Sequence, residues 1–370
     1  MAPSGQAGAP SAAPVGTARL KGARRHVPFP STPTRIDPAA SPAMTSPASA
    51  TPFPAGPPPV GLGLWKIDRP LAAAMVEEAI RIGYRHLDSA CDYGNEPEVG
   101  AGLRAALAAG VCRRDEVWVT SKLWNTYHAP RHVRPALERT LADLGLDRLD
   151  LYLVHFPIAL RYVPFEERYP PGWIHDPAAT PPRMELAAVP LADTWGAMED
   201  LVAAGLVERI GVCNVGTAQL RDLLASARIP PAVLQVELHP LLAQESLLRF
   251  CREEGIAVTA FSPLGAPSYV PLGMARPEQS LLSHPLIVET ARTVGRSPAQ
   301  VLLRWGVQRG TSVIPKTSRR ERLAENLRIL DFTLPPGSME AITALDRRVR
   351  FNDPGVFCEK AFGRFCPIYE

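Results

Sequence analysis

The stretch "HLDSACDYGNE", residues 86–96, sets two aspartates, a cysteine and a tyrosine just where the apolar run "AIRIGYRHL" gives out. Turns use Asp, Gly and Asn freely, but a tyrosine among them asks for a reason of its own. Lys122 follows "VWVTS", and a cation at the poorly solvated end of such a run needs a carboxylate partner. Asp88 is the obvious one. Alone, the two read equally well as a plain buried ion pair.

Tyr93 shifts that balance. A phenol titrates near pH 10, and a neighbouring ammonium favours the phenolate and lowers that value. A lowering of one or two units, each worth about 1.36 kcal/mol, would make Tyr93 a serviceable general acid. His155, in "LVHFP", can orient an oxygen atom by hydrogen bonding, although a lone histidine is more often a satisfied core residue. Together the four point to a proton donor aimed at a carbonyl oxygen that gains negative charge. No base-activated nucleophile accompanies them, and no His/Cys/Asp cluster has metal-ligand spacing, so no metal site is expected.

A proton donor alone does not reduce a carbonyl, and the hydride has to come from a cofactor. The run "VIPKTSRRERLAENL" offers a place for one. Ser318 and Glu321 have capping-box spacing, and Lys316, Arg319, Arg320 and Arg322 crowd the helix start that they predict. Free backbone N–H groups and the helix dipole attract anions there. Basic residues usually make a solvated face, but this position, just after a strand, favours phosphate.

These side chains need a frame. Short apolar runs alternate with helical patterns from Val60 onward: "VGLGLWK", "YRHLDS", "VWVTSKLW", "LDLYLVHFP", "RIGVCNV", "AVLQVELHP", "IAVTAFSPLG" and "TSVIPK". Between them, Leu71, Met75, Ala79 and Ile82 fall at helical spacing and stop at Gly83. Val133, Leu137, Leu141 and Leu144 do the same and stop at Gly145. Ser297, Pro298 and Gln300 open a third helix with a capping box. Eight such strands predict an α/β fold, a (β/α)8 TIM barrel with long βα loops after strands 4 and 7. An open doubly wound sheet would carry GxGxxG leading straight into a helix, and "GLGLWK" does not. In a barrel, chemistry sits at the C-terminal rim. Asp88, Lys122, His155, Asn214, Gln235, Glu237, Ser262 and Lys316 all fall at or near predicted strand ends.

The chain has 370 residues, a net charge of +3 and 21% charged residues, too mild a balance to favour nucleic acid or a membrane surface. Its six cysteines are scattered, which predicts a reducing compartment and no disulfide frame. Residues 1–59 hold 14 of the 40 prolines and a single acidic residue, Asp37, against five Lys and Arg. Residues 1–58 are therefore read as a disordered Pro/Ala/Ser-rich extension, with an organelle transit peptide as the alternative to a plain cytoplasmic protein. Residues 59–370 form the barrel.

"GYRHLDSACDYGNEPEVG", "TSKLWN", "LDLYLVHFP" and "VIPKTS…R…EN" resemble, in order and spacing, the signatures of the aldo-keto reductases, from about Val60 to Pro354. "VHFPIALRYVPFEERYPPGW", "LLRWGVQRG" and "RFNDP" are similar to the D-xylose (aldose) reductases. "TWGAMEDLVAAGLV" is similar to plant aldose- and mannose-6-phosphate reductases. The resemblance implies a catalytic tetrad of Asp88, Tyr93, Lys122 and His155. It implies NADPH as cofactor, with NADH as an alternative, and a nicotinamide stacked on Phe261 with its amide held by Asn214 and Gln235. It places the pyrophosphate by Ser262 and Leu264. The adenosine end with its 2′-phosphate falls to Lys316, Thr317, Ser318, Arg322 and Asn326.

A sugar or aldehyde substrate would meet Trp65, Asp92, Trp124, Phe156 and Asn352, walled by Tyr162, Phe165 and Trp173 from the loop between Ile158 and Pro190. The loop from Gly265 to Pro285 resembles one that folds over the bound cofactor. Three departures stand out: Cys213 replaces a serine, Ser318 replaces an asparagine, and the hairpin flooring the barrel is hard to find in "TPFPAGPPPVGLG". Three further readings are carried: a sugar 6-phosphate reductase using Arg161, Arg168 and Arg183, a nucleotide-binding scaffold without turnover, and a Schiff-base aldolase using Lys122. The protein is expected to be a monomer or homodimer.

Overall fold

Eight short parallel strands pair in strict chain order: β1 (Leu62–Gly63), β2 (His86–Asp88), β3 (Trp118–Leu123), β4 (Leu151–Val154), β5 (Ile210–Cys213), β6 (Val233–Glu237), β7 (Ala257–Phe261) and β8 (Thr311–Val313). The computed structural model describes residues 56–180 and 182–369. The predicted N-terminal extension lies, up to residue 55, outside the described residues. Val60 bridges Val313 in parallel, while Gly61 N–H donates to Val313 O at 2.8 Å and Gly63 N–H to Pro315 O at 3.1 Å. These bonds join the first strand to the last and close the barrel. A Cβ on Gly63 would meet Ile314 O at 2.6 Å, so only glycine lets the closing strands approach this closely.

All eight predicted strands are present. Around them lie α1 (Arg69–Arg81), α2 (Glu96–Ala108), α3 (Pro130–Leu144), α4 (Leu191–Ala203), α5 (Thr217–Ser226), α6 (Glu245–Glu253), α7 (Pro285–Val294), α8 (Pro298–Gln308), α9 (Arg320–Leu327), α10 (Pro336–Thr343) and α11 (Pro354–Phe362). In α3 the predicted stripe Val133, Leu137, Leu141 and Leu144 is buried, and Gly145 closes the helix in the left-handed region at φ 67°. The predicted box at α8 forms too: Ser297 Oγ accepts from Gln300 N–H at 3.2 Å.

Two local expectations fail. The stripe of α1 is rotated toward Ala72, Met75, Val76, Ala79 and Ile80, which leaves Leu71 exposed. Small residues seat α1 on α2, where a Cβ on Gly102 would lie 2.3 Å from Ala73 O, too close for a large side chain. Ser318 does not cap α9. Arg319 is the cap residue, with no side-chain cap bond, and its own N–H donates to Thr317 Oγ1 at 3.1 Å in the turn that leads into the helix.

No hairpin floors the barrel among the described residues. Instead, the carbonyls of Pro57, Pro58 and Pro59 face Ser312 Oγ, His86 Nδ1 and Val313 N–H at 3.1, 3.2 and 2.9 Å. A proline run that cannot donate still serves the sheet as an acceptor. The loop between β4 and α4 is tied by antiparallel bridges at Leu160–Leu186 and Asp176–Arg183, and the one after β7 by Gly265–Ser280. All six cysteines are free and buried.

Candidate active site

Three strand ends and one turn converge on Lys122. Its Nζ donates to Asp88 Oδ1 at 2.6 Å, to Ser89 O at 2.7 Å and to Tyr93 Oη at 3.3 Å. Lys122 and Asp88 are buried, and Gln235 Nε2 donates to the other carboxylate oxygen, Oδ2, at 2.6 Å. The 3₁₀ turn Cys91–Tyr93, closed by Gly94 at φ 70°, brings the phenol back over the lysine. His155 follows β4, its ring edge-on to Tyr93 with centroids 5.9 Å apart. His155 Nδ1 lies 3.1 Å from Asp92 Oδ1 but off the line of a hydrogen bond, so neither atom has a hydrogen-bonding partner. The four predicted residues thus meet at one place on the C-terminal rim.

The electrostatics of the phenol differ from the sequence-based expectation. Tyr93 is pushed well above 10, first by burial and then by the charges of Asp88 and Asp92. Lys122 does not act as a bare cation because Asp88, 2.6 Å away, cancels most of its field at the phenol oxygen. Tyr93 is therefore a neutral, fully protonated donor at pH 7. An alkoxide is nearly as basic as hydroxide, so it still takes a proton from such a phenol readily.

The expected cofactor residues line the same rim. Asn214 directly follows β5 at φ 60° and Ser262 directly follows β7 at φ 50°; with Lys66 at φ 62°, they are three of the five non-glycine residues in the left-handed region among the described residues. Backbone held that way carries a cost that packing must offset. Asn214 Nδ2 donates to His155 O at 2.8 Å, Phe261 is a half-buried ring at the end of β7, and Ser262 Oγ bonds Tyr269 Oη at 2.7 Å. Leu264 is half-buried beside it. Lys316 and Thr317 follow β8, Ser318 and Arg322 are exposed at the start of α9, and Asn326 is buried one turn on. Cys213 is buried against Trp118, Leu151, Leu153 and Val233 in the barrel interior, where it carries a neutral thiol instead of a hydroxyl.

Sequence reasoning missed Lys66. Its ammonium lies over Trp65, 4.2 Å from the ring centroid, and donates to Ser268 O at 2.7 Å across the loop that follows β7. Burial and the charge of Lys316 hold its pKa below the usual lysine value. Two mutually repelling ammoniums on one rim fit a phosphate-bearing ligand. The signal was available, because Lys66 follows β1 as the other rim residues follow their strands.

The residues expected to meet substrate divide. Trp124, Phe156 and Trp173 form one aromatic wall, with Trp173 5.0 Å from each of the other two and Trp124 5.3 Å from His155. Trp124 Nε1 is spent on Gly172 O at 2.9 Å, so it offers a ring face and no donor. Tyr162 and Phe165 do not join the wall: Tyr162 stacks on His132 at 3.7 Å and Phe165 lies 5.1 Å from Tyr127, over the α3 side. Trp65 is half-buried 5.9 Å from Tyr269. Glu237, buried at the end of β6, accepts from Phe351 and Asn352 N–H at 2.9 and 2.8 Å and so ties the segment of Asn352 to the barrel.

Residues 59–347 match the model of the aldo/keto reductase family. The chain belongs to that family. It is 48% identical over 297 residues to a probable NAD(P)H-dependent D-xylose reductase of Arthroderma otae, covering 80% of this chain and 90% of that one. It is 46% identical over 312 residues to an NADPH-dependent aldose reductase of Saccharomyces cerevisiae, covering 83% and 95%. The solved aldose reductase of Schistosoma japonicum superposes with a TM-score of 0.71 at 37% identity, over 79% of this chain and 90% of that chain.

Proposed function

We propose that this aldo/keto reductase reduces the open-chain form of D-xylose-like aldoses to alditols with NADPH. The observation that carries the reading is Lys122 in contact with both Asp88 and Tyr93 at the barrel rim. NADPH would lie with its nicotinamide against Phe261 and its phosphates toward Lys66 and Lys316, and its reduced ring supplies the hydride. Tyr93 Oη points a proton at the carbonyl oxygen. His155, with Nδ1 turned toward Asp92, offers its other nitrogen to the same oxygen and orients it. Once Tyr93 has given its proton, Lys122 Nζ, already 3.3 Å away, stabilises the phenolate until solvent restores it. The ring wall of Trp124, Phe156 and Trp173 excludes water from the carbonyl.

A sugar 6-phosphate fits less well. Arg161 pairs with Glu185 at 2.8 Å, and Arg168 is committed to the carbonyls of Pro171 and Ile174, so two of the three candidate arginines are already engaged. A Schiff base on Lys122 fits poorly too, since all three of its donors are spent. NADPH oxidation with D-xylose, compared with glucose 6-phosphate and mannose 6-phosphate, tests the reading. Higher kcat/KM for the unphosphorylated sugar is expected, and a preference for either phosphate would contradict it.

A further inference from the structure

The segment that follows α11 turns at Gly363, φ 63°, and folds back toward the barrel mouth. Gly355, at the start of α11, leaves room for it: a Cβ there would lie 3.1 Å from Pro367 Cα. Cys366 is buried, and Ile368 packs on the main core. Tyr369 then reaches β5, where its hydroxyl donates to Asn214 Oδ1 at 3.1 Å. The Arg350 guanidinium lies 3.5 Å from the centroid of its ring and clamps it. Burial holds the phenol above its usual pKa, so it remains a donor.

Asn214 has two amide N–H groups and two carbonyl lone pairs. One N–H goes to His155 O at 2.8 Å and one lone pair to Tyr369. What remains is one donor and one acceptor, the two kinds of group that a primary carboxamide pairs with. We propose that Tyr369 is a positioning residue of the cofactor site, which fixes the Asn214 amide so that its free donor and acceptor meet the nicotinamide carboxamide. The inference rests on reading this rim as an NADPH site. It makes the segment after α11 part of cofactor recognition, and by linkage NADPH tightens that segment in turn.

Dissociation constants for NADPH and for adenosine 2′,5′-bisphosphate, which lacks the nicotinamide, test it in wild type and Tyr369→Phe. The phenylalanine keeps the ring under Arg350 and removes only the hydroxyl. NADPH should bind roughly fivefold or more weakly to the variant, while the fragment stays within about twofold. Unchanged or tighter NADPH binding would overturn the proposal, as would equal losses for both ligands, which would mark a general loosening. A wild type that binds no NADPH would instead sink the underlying reading of the site.

Discussion

Tyr93 and Lys66 show how far single residues could be read without coordinates. The types at positions 88, 93, 122 and 155 were enough to point to the proposed chemistry, because few reactions need a phenol, an ammonium, a carboxylate and an imidazole at neighbouring strand ends. The direction of the phenol's shift was not legible. It depends on the 2.6 Å contact that pairs Lys122 with Asp88 and on the approach of Asp92, and both are distances. Lys66 stood at a legible position after β1, but only the fold sets it near Lys316. Its pKa, lowered by burial and then by Lys316, means that it sheds its proton at lower pH than an ordinary lysine. NADPH affinity should therefore begin to fade at a lower pH than an unshifted lysine in its place would cause. Lys66→Met should weaken NADPH by about tenfold at neutral pH and blunt that dependence. Fluorescence titration across pH measures both, and an unaltered pH profile in the variant would remove Lys66 from the site.

Glu96 governs how β3, α2 and α3 are joined. It sits in the first turn of α2, three residues after Tyr93, and accepts from Ser121 Oγ at 2.6 Å and Thr140 Oγ1 at 3.1 Å. Burial raises its pKa from 4.5 to about 7. An acid with a higher pKa folded than unfolded takes up a proton on folding, so its contribution is most favourable below about pH 4.5 and declines as pH rises to about 7, by about 3 kcal/mol. Glu96→Gln keeps the hydrogen-bonding shape without the charge. Denaturant midpoints at pH 5 and pH 8 should diverge in wild type and draw together in the variant; parallel changes would contradict this. Strands were the most legible elements, because each is a short apolar run bounded by turn residues. Helix faces were less so, since the α1 stripe depends on how closely Ala73 and Gly102 approach. The missed cap at Ser318 is of the same kind: the helix starts one residue later, at a cap residue, Arg319, whose side chain caps nothing, and the Ser318/Glu321 spacing does not reveal that shift.

The barrel as a whole was legible from the order of its strands, yet what finishes the site comes from distant segments. Trp173 reaches Trp124 across a long loop, and Tyr369 reaches Asn214 from 155 residues away. No periodicity encodes such contacts, which is why Tyr162, Phe165 and Trp173 looked alike in sequence although only Trp173 packs with Trp124 and Phe156. These segments wall and tether the site, whereas the proposed proton donor is Tyr93. The most direct test is steady-state NADPH oxidation with D-xylose by wild type and Tyr93→Phe, alongside NADPH binding to each. Loss of kcat/KM by about a thousandfold with NADPH affinity kept within about twofold is the predicted result. Turnover by the phenylalanine variant close to that of wild type would show that the proton comes from elsewhere.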